Sequence, residues 1–256
     1  MKLLIKIGGS LLDEPQSREA LARQIAAVNG SGNRLVIVHG GGRQLTRFLA
    51  ERGVASEFVN GLRVTTEETI DAVLKVLAGT VNKQLVASLR AVGVNAVGLS
   101  GLDACLTSAT QMSADLGWVG RIASVDPRVL ELLTESNYLP AVACVAGDAA
   151  GSVYNVNADQ MAAACAVAFR ADRLIFLTDV AGVLDRGGSL IPRLSREGIR
   201  SLIEAGVAQG GMRAKLEAAS QAVNEGVGSV TIAAGTADGI LSDLLAGAAQ
   251  GTRLAA

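Results

Sequence analysis

Aromatic side chains are scarce in this sequence. Four Phe, two Tyr and one Trp make up the aromatic content of 256 residues, although half of all residues are apolar. We therefore expect a core of closely packed Ala, Val, Leu and Ile, with 30 glycines available for tight turns. At roughly 150 residues per domain, the length predicts one large domain or two lobes that share a core.

Histidine and cysteine are also rare. His39 is the only histidine, so a mechanism that needs a histidine base has to use it. The three cysteines, Cys105, Cys144 and Cys165, are isolated and lack C-x-x-C spacing, which argues against a zinc site or a disulfide framework. We expect all three to be small core residues, and their reduced thiols favour a cytoplasmic location.

Strong charge of one sign and long apolar runs are missing as well. The formal net charge is −1, whereas a nucleic-acid-binding protein normally carries a basic stripe. No apolar run approaches the ~18 residues of a membrane span, and an early glycine turn leaves no signal-peptide core. We expect no nucleic-acid partner and no membrane partner.

Short apolar runs alternate with helical patterns along the chain. Residues 3–7 and Arg34–His39 read as buried strands, and each is followed by a glycine turn and then a helical pattern. That alternation is typical of an α/β fold with a mainly parallel sheet. Further strands are predicted at 96–99, 139–145, 174–177 and 230–232, and helices at 18–28, 158–169, 196–205 and 212–225. No Pro-rich or Ser-rich linker divides the chain, so any lobes share one sheet.

The middle of the chain has a different pattern. Asn60-Gly61 is a strong hairpin dipeptide within the extended segment 57–64. Thr66 is expected to cap a helix that runs through Leu77, and residues 82–92 form a second helix. Residues 104–122 lack helical periodicity and are predicted to be hairpin strands with a turn near Leu116-Gly117.

Glycine turns follow the predicted strands at four places: Gly8-Gly9, Gly40-Gly41-Gly42, residues 98–101 and residues 179–182. In open α/β sheets, ligands bind beyond the carboxyl ends of the strands, where glycine N–H groups and helix N-termini favour phosphate. Neither the G-x-G-x-x-G fingerprint nor the P-loop pattern is present. His39-Gly40-Gly41-Gly42 matches an esterase oxyanion segment, but G-x-S-x-G and a later histidine are missing, which excludes that fold.

A few charged and polar residues stand near these turns. Lys6 ends an apolar strand, where it either reaches solvent or points at an anion held by the glycine turn. Lys215 lies one turn inside a predicted helix, and it is either a surface lysine or a partner for an anionic ligand. Asn157 fits a helix cap with Asp159 in the first turn, and Arg63 could hold a carboxylate through two parallel hydrogen bonds.

Taken together, these segments resemble the amino acid kinase family. The resemblance is carried along nearly the whole chain by Lys6-Ile7-Gly8-Gly9, His39-Gly40-Gly41-Gly42, NGLRVT at 60–65, GLSG at 98–101, NVNAD at 155–159, TDVAGVL at 178–184 and Gly211-Met212-x-x-Lys215. It implies one domain over residues 1–256, an open and mainly parallel eight-stranded sheet sandwiched between helices. It also implies an N-terminal lobe of about 1–150 for the amino acid and for dimerisation, and a C-terminal lobe of about 151–256 for ATP.

The resemblance assigns roles residue by residue. It implies that Lys6 and Lys215 stabilise the transferring phosphoryl group and that Asp159 organises the two lysines. Substrate binding is implied for Gly41, Gly42, Arg63 and Asn155. Nucleotide binding is implied for Gly8, Gly9, Asp179, Gly182, Leu184 and Gly211. No cluster of carboxylates is evident as a metal site, so Mg²⁺ is expected to arrive with ATP. Gln209 stands where many relatives have an acidic residue.

Within the family, the segments at 60–65 and 155–159 match the enzymes that phosphorylate the side-chain carboxylate of N-acetyl-L-glutamate in arginine biosynthesis. The alternatives are a kinase for carrier-bound aminoadipate in lysine biosynthesis, which shares GLSGLD at 98–103, and a non-catalytic regulatory relative. The resemblance also implies that relatives inhibited by arginine have an extra helix before the first strand, which joins dimers into a hexamer. Here the first strand begins at Leu3, so we expect no such helix. We therefore expect a homodimer with little arginine inhibition.

Overall fold

The centre of the molecule is an eight-stranded sheet, seen in a computed structural model that describes residues 1–255. The strands are β1 (Lys2–Ile7), β2 (Arg34–His39), β3 (Phe58–Val59), β4 (Leu62–Arg63), β5 (Ala96–Ser100), β6 (Thr107–Gln111), β7 (Gly120–Val125), β8 (Leu139–Ala143), β9 (Val145–Gly147), β10 (Val153–Asn155), β11 (Arg173–Thr178), β12 (Arg193–Leu194), β13 (Ser229–Ala234) and β14 (Thr252–Ala255). The helices are α1 (Pro15–Asn29), α2 (Gly42–Ala50), α3 (Glu67–Val73), α4 (Asn82–Ala91), α5 (Arg128–Glu135), α6 (Ala158–Ala168), α7 (Arg196–Glu204), α8 (Gly210–Asn224) and α9 (Ile240–Leu245).

The large sheet has the strand order β12-β14-β13-β11-β1-β2-β8-β5. Neighbouring strands pair in parallel, except that β13 and β14 are antiparallel. This confirms the predicted mainly parallel, eight-stranded α/β architecture. Strand β1 lies in the middle and is buried from Leu3 to Ile7, as expected for a strand that is covered on both faces.

Helices cover both faces of this sheet. Successive side chains of a strand point to opposite faces, so Lys6 and Ile7 of β1 diverge, and His39 of β2 pairs with Ile7. Lys6 contacts α6, whereas His39 contacts α4, which places these two helices on opposite faces. Helix α6 packs against α8, and α1 packs against α4 and α9. Among the described residues, no helix is long and apolar enough to cross a membrane.

The two helices predicted after Thr66 form one continuous helical segment. Thr66 caps α3 by accepting a hydrogen bond from the Thr69 N–H at 3.2 Å, as predicted. A π-helical stretch, Leu74–Val81, then connects α3 to α4 without a break. Helix α4 starts at Asn82, as predicted, but the Asn82 side chain points into the interior.

A smaller sheet of four strands, β10-β9-β6-β7, lies beside the large one. Its β6–β7 pair is the antiparallel hairpin predicted within 104–122, and β3–β4 is the hairpin predicted at Asn60-Gly61. The single strand predicted at 139–145 is divided at Cys144 into β8 and β9, so that the chain passes from the large sheet to the small one.

The cysteines differ in their surroundings. Cys144 and Cys165 are buried, as predicted, and burial raises the pKa of their thiols to about 11 and about 12. The prediction for Cys105 was wrong, since this residue is exposed in a tight turn with a φ of +54°. Cys105 lies in a left-handed turn at the surface, although apolar residues flank it in the sequence.

Candidate active site

The glycine turns after β1 and β2 meet at the carboxyl edge of the sheet. A cavity of about 230 Å³ opens there, bordered by Gly9 and by Gly40, Gly41 and Gly42. A Cβ atom placed on Gly9 would lie 3.0 Å from the Gly41 nitrogen and 3.1 Å from the Gly42 nitrogen. The two turns therefore pack closely backbone to backbone, and a side chain at position 9 would push them apart.

Lys6, Asp159 and Lys215 form a buried ionic triad on one side of this cavity. The Lys6 Nζ lies 2.8 Å from Asp159 Oδ1, and the Lys215 Nζ lies 2.9 Å from the same oxygen. The side chain of Asn157 accepts hydrogen bonds from the N–H groups of Asp159 and Gln160, which fixes the start of α6. One carboxylate oxygen thus holds two ammonium groups together at the end of β1.

The titration behaviour of the triad reflects its burial. Desolvation, with help from the neighbouring Lys6 charge, lowers the pKa of Lys215 to about 8, although Asp159 acts in the opposite sense. Burial alone would raise the pKa of Asp159, but the two lysine charges outweigh that effect and lower the pKa below its ordinary value. Two cations that share one anion leave the site with a net positive charge.

Arg63 and Asn155 lie on another side of the same cavity. The Arg63 guanidinium donates to Ser56 Oγ, to the Gly42 carbonyl at 3.1 Å and to Thr46 Oγ1 at 2.7 Å. It is only 7 % exposed, and burial lowers the pKa of Arg63 from its ordinary value. Within residues 1–255 it contacts no carboxylate, so its charge is available for an anionic ligand.

Asn155 is held in place by a hydrogen bond from its amide to Thr65 Oγ1, at 3.1 Å. Thr65 in turn donates to the carbonyl oxygen of Arg63 at 2.9 Å. This chain of bonds connects β10 to the β3–β4 hairpin, so Arg63 and Asn155 keep a fixed relative position. Asn155 borders the cavity, and its side-chain oxygen has no hydrogen-bond partner within the described residues.

Two helices point uncapped N-termini toward this region. Helix α2 begins directly after Gly41 and α8 begins directly after Gln209, and neither start has a side-chain cap. In the described part of the chain, the N–H groups of Gly9, Gly41 and Gly42 have no backbone acceptor, whereas the Gly8 N–H donates to the Leu177 carbonyl at 2.9 Å. Free N–H groups at helix starts favour bound phosphate.

The remaining residues of the expected nucleotide site lie outside the cavity. Asp179 follows β11 and pairs with Arg43 at 3.2 Å across the surface. Gly182 is buried against Leu190 and Thr252, and Leu184 is exposed in the same loop. Gly211 is exposed in the first turn of α8, four residues before Lys215. These residues lie near the carboxyl end of β11 and the amino end of β14, which are at the same edge of the sheet because β14 runs antiparallel to β13.

The structure decides several open readings from the sequence. Lys6 is paired with Asp159, which rules out a solvent-directed lysine, and Lys215 is buried, so it is not a surface lysine. The turn at 98–101 does not border the cavity, because Gly98 lies inside β5 against Asn82. A group of three or more His, Cys, Asp or Glu side chains that could hold a metal does not occur in residues 1–255.

Several residues that build the site could not be identified from the sequence. Phe58 lies 4.6 Å from the Arg63 guanidinium, measured to the ring centroid, and borders the cavity. Phe176 lies 5.2 Å below the Lys215 ammonium. Ser56 and Thr46 hold Arg63. Only Thr46 could have been suspected from the sequence, because it stands one helical turn after Gly42. In the structure its hydroxyl donates to the Gly42 carbonyl at 2.8 Å.

Comparison with known proteins agrees with this geometry. The model of the amino acid kinase family matches residues 1–234. The chain is 56 % identical over 254 residues to a protein named acetylglutamate kinase from Solibacter usitatus, with 99 % of each chain covered. It is 46 % identical over 234 residues to the protein of that name from Koribacter versatilis, covering 91 % of this chain and 90 % of the relative.

A solved structure shows the same fold. The N-acetylglutamate synthase from Neisseria gonorrhoeae, crystallised with coenzyme A and N-acetyl-glutamate, superposes with a TM-score of 0.89 at 29 % identity. The whole of this chain is covered, but it spans only 59 % of that larger protein. From the order of its motifs, its sheet and its relatives, the chain belongs to the amino acid kinase family.

Proposed function

We propose that this protein transfers the γ-phosphoryl group of MgATP to the side-chain carboxylate of N-acetyl-L-glutamate, a step of arginine biosynthesis. The relatives at 56 % and 46 % identity carry the name acetylglutamate kinase. The observation that carries the proposal is the unpaired Arg63 guanidinium, which lies in the same cavity as Lys6. A substrate with two carboxylates fits a cavity with one cation for binding and further cations for the reaction.

The nucleophile is the substrate's own carboxylate. A glutamate-like acid titrates near ~4.3, so it is ionised at neutral pH and needs no general base. His39 is fully buried, and desolvation lowers its pKa to about 4, although its bond to the Gly40 carbonyl opposes that shift. The single histidine therefore takes no part as a base.

Catalysis consists of positioning and charge stabilisation. As the phosphoryl group passes between two oxygens, negative charge accumulates on its outer oxygens. Lys6 and Lys215 stabilise that charge, and Asp159 keeps the two ammonium groups at a fixed separation. The free N–H groups of Gly41 and Gly42 add donors from the helix start, which need no rearrangement during the reaction.

Substrates are assigned to two neighbouring regions. Arg63, Asn155, Gly41 and Gly42 bind N-acetyl-L-glutamate, with Arg63 on the carboxylate that does not react. ATP lies across Gly8 and Gly9 and reaches the residues that surround the ends of β11 and β14, namely Asp179, Gly182, Leu184 and Gly211. Mg²⁺ enters with the nucleotide as part of that substrate.

The proposal also includes an assembly and a location. Residues 1–150 and 151–256 form the two lobes, and the amino acid binds mainly to the first lobe and ATP to the second. A homodimer forms through the N-terminal lobe, and the reaction takes place in the cytoplasm. Light scattering should give twice the mass of one chain, and a monomer in dilute solution would contradict the dimer.

Hydroxylamine trapping of the acyl phosphate tests the reaction. The purified enzyme is incubated with MgATP and a panel of acceptors: N-acetyl-L-glutamate, glutamate, aspartate, carbamate, UMP and carrier-linked aminoadipate. We expect hydroxamate only with N-acetyl-L-glutamate, and none with the Lys6→Ala variant. Turnover of carrier-linked aminoadipate without N-acetyl-L-glutamate activity would assign the protein to the lysine pathway, and inactivity with all six would support a regulatory relative.

A further inference from the structure

His39 is the only histidine of the chain, and the mechanism above does not use it. It ends β2, it is fully buried, and its side chain lies on the opposite face of the sheet from Lys6. A buried imidazole costs free energy unless both of its nitrogens have partners. Both nitrogens do, and the partners identify which nitrogen carries the proton.

Asn82 determines the tautomer of His39. The Asn82 Nδ2 lies 2.8 Å from the Ala141 carbonyl oxygen, and its Oδ1 accepts from the Lys83 ammonium at 3.1 Å. Those two contacts orient the amide, so the group that faces His39 Nε2 at 2.9 Å is the donor Nδ2. The Nε2 atom must therefore accept, and the proton of the neutral ring resides on Nδ1.

The Nδ1–H group has one acceptor, the carbonyl oxygen of Gly40, at 2.9 Å. The peptide between Gly40 and Gly41 is trans, so its C=O and N–H bonds point in opposite directions. A carbonyl that is held toward the interior by His39 requires the Gly41 N–H to point the other way. Gly41 borders the cavity, and its N–H has no acceptor within the described residues.

The surroundings of this peptide are crowded. On one side, the Gly9 backbone lies against the Gly41 nitrogen. On the other side, a Cβ atom on Gly41 would come within 2.5 Å of the Leu77 side chain. A side chain at position 41 would therefore displace Leu77, and in the native chain the hydrogen bond from His39 sets the direction of the free N–H group.

We infer that His39, oriented by Asn82, is a positioning residue that directs the Gly41 N–H at the phosphoryl group during transfer. This inference deepens the proposed function and rests on it for the identity of the anion. His39 contacts no substrate, and its effect passes through a single peptide plane. Lys83 contributes by holding the Asn82 amide from the far side.

The first experiment reads the tautomer directly and needs no variant. Protein labelled with ¹⁵N-histidine contains a single imidazole, so its two nitrogen shifts are unambiguous. We expect a protonated Nδ1 and an unprotonated Nε2 at pH 7, unchanged down to pH 5. An Nε2–H tautomer, or titration near the ordinary value of ~6.5, would overturn the inference whether or not the enzyme is active on N-acetyl-L-glutamate.

The second experiment uses a matched pair of variants. In His39→Asn the amide nitrogen occupies the place of Nδ1 and keeps a donor for the Gly40 carbonyl, whereas in His39→Gln the amide reaches the place of Nε2 and loses that donor. Both remove the ring, so their melting temperatures should fall by similar amounts. We expect kcat of His39→Gln to be at least roughly tenfold below that of His39→Asn, with both KM values within about threefold, because a misplaced donor acts on the transition state.

Equal kcat values for the two variants would show that His39 has only a structural role. If neither variant folds, the amide proton of Gly41 in the wild-type protein decides the question. It should move downfield when MgADP, fluoroaluminate and N-acetyl-L-glutamate are added together, since it then bonds to the phosphoryl analogue. An unchanged Gly41 resonance would overturn the inference, while a failure of the hydroxamate assay would count against the proposed substrate instead.

Discussion

Replacing Asp159 with asparagine removes the anion that pairs with two buried lysines. Both ammonium groups contact the same oxygen, Oδ1, at 2.8 and 2.9 Å, and the side chains of all three residues are at most 9 % exposed. The amide introduced at position 159 has nearly the same shape as the carboxylate that it replaces. The variant therefore changes the charge and leaves the packing of α6 in place.

The structure sets the size of the effect. At an effective dielectric constant of ~20, a pair of unit charges less than 3 Å apart attracts with roughly 6 kcal/mol. A Lys215 pKa of about 8 means that only about 1.4 kcal/mol keeps this lysine protonated at pH 7. The attraction that is lost exceeds the free energy that keeps the proton on Lys215, so this lysine becomes neutral in the variant.

Two consequences are measurable. A neutral Lys215 no longer stabilises the phosphoryl group, and kcat should fall by on the order of 10²–10³, as for the loss of one preorganised donor. Because Lys215 escapes the penalty of an unpaired buried charge by losing its proton, the free energy of unfolding should fall by only about 3 kcal/mol, at the low end for a broken buried pair. Asp71→Asn is the matched control, since Asp71 pairs with Lys75 at the surface of α3.

The pH profile identifies the group responsible. In the wild-type enzyme kcat/KM should decline as the pH rises above about 8, where Lys215 loses its proton. In Asp159→Asn the decline should move below pH 7, and Asp71→Asn should keep the wild-type profile. An Asp159→Asn enzyme with kcat within about threefold of wild type, and with its alkaline decline unmoved, would refute the assignment of the triad.

Four further outcomes are expected. Lys6→Ala should lower kcat by on the order of 10²–10³ with little change in KM, and steady-state kinetics that show an unchanged kcat would remove Lys6 from the mechanism. Arg63→Ala should mainly raise KM for N-acetyl-L-glutamate, because it binds ground state and transition state alike; a pure kcat effect would contradict that role. Gly9→Ala should lower the activity and the melting temperature, since its Cβ would lie 3.0 Å from the Gly41 nitrogen, and a fully active variant would show that the two turns are not in contact. In the folded protein the pKa of His39 is about 4, so as the pH falls below ~6.5 this imidazole binds a proton in the unfolded state but not in the folded state. The free energy of unfolding should therefore fall by about 2 kcal/mol between pH 6.5 and 5, as measured by urea titrations. The His39→Asn variant should lack this contribution to the pH dependence.

Features that depend on local chemistry were predictable from the sequence. Buried strands that end in glycine turns indicated the parallel sheet, and Asn60-Gly61 indicated the β3–β4 hairpin. The Thr66 and Asn157 caps were predicted from residue type alone, because a cap bonds to N–H groups two or three positions away. The resemblance to the amino acid kinase family was confirmed by the family model and by the relatives.

Features that depend on distant parts of the chain were not predictable in this way. Asn82 looked like the start of a helix, and only the fold brings it to His39, 43 residues earlier. The neighbours of Arg63 and the pair between Arg43 and Asp179 likewise join segments that no short pattern connects. Cys105 is exposed in a left-handed turn, and a cysteine in the sequence gives no indication of that backbone conformation.

The central position of β1 has a consequence for how the protein is made. Its N-terminal residues bond to residues 170 positions later, where Leu3 pairs with Arg173 of β11. At roughly 5–20 residues per second on the ribosome, one edge of this apolar strand waits on the order of ten to thirty seconds for its partner. Exposed strand edges recruit other chains, and a lysine within such an edge opposes that. We expect Lys6 to oppose such recruitment until Asp159, which is translated just before β11, is available to pair with it.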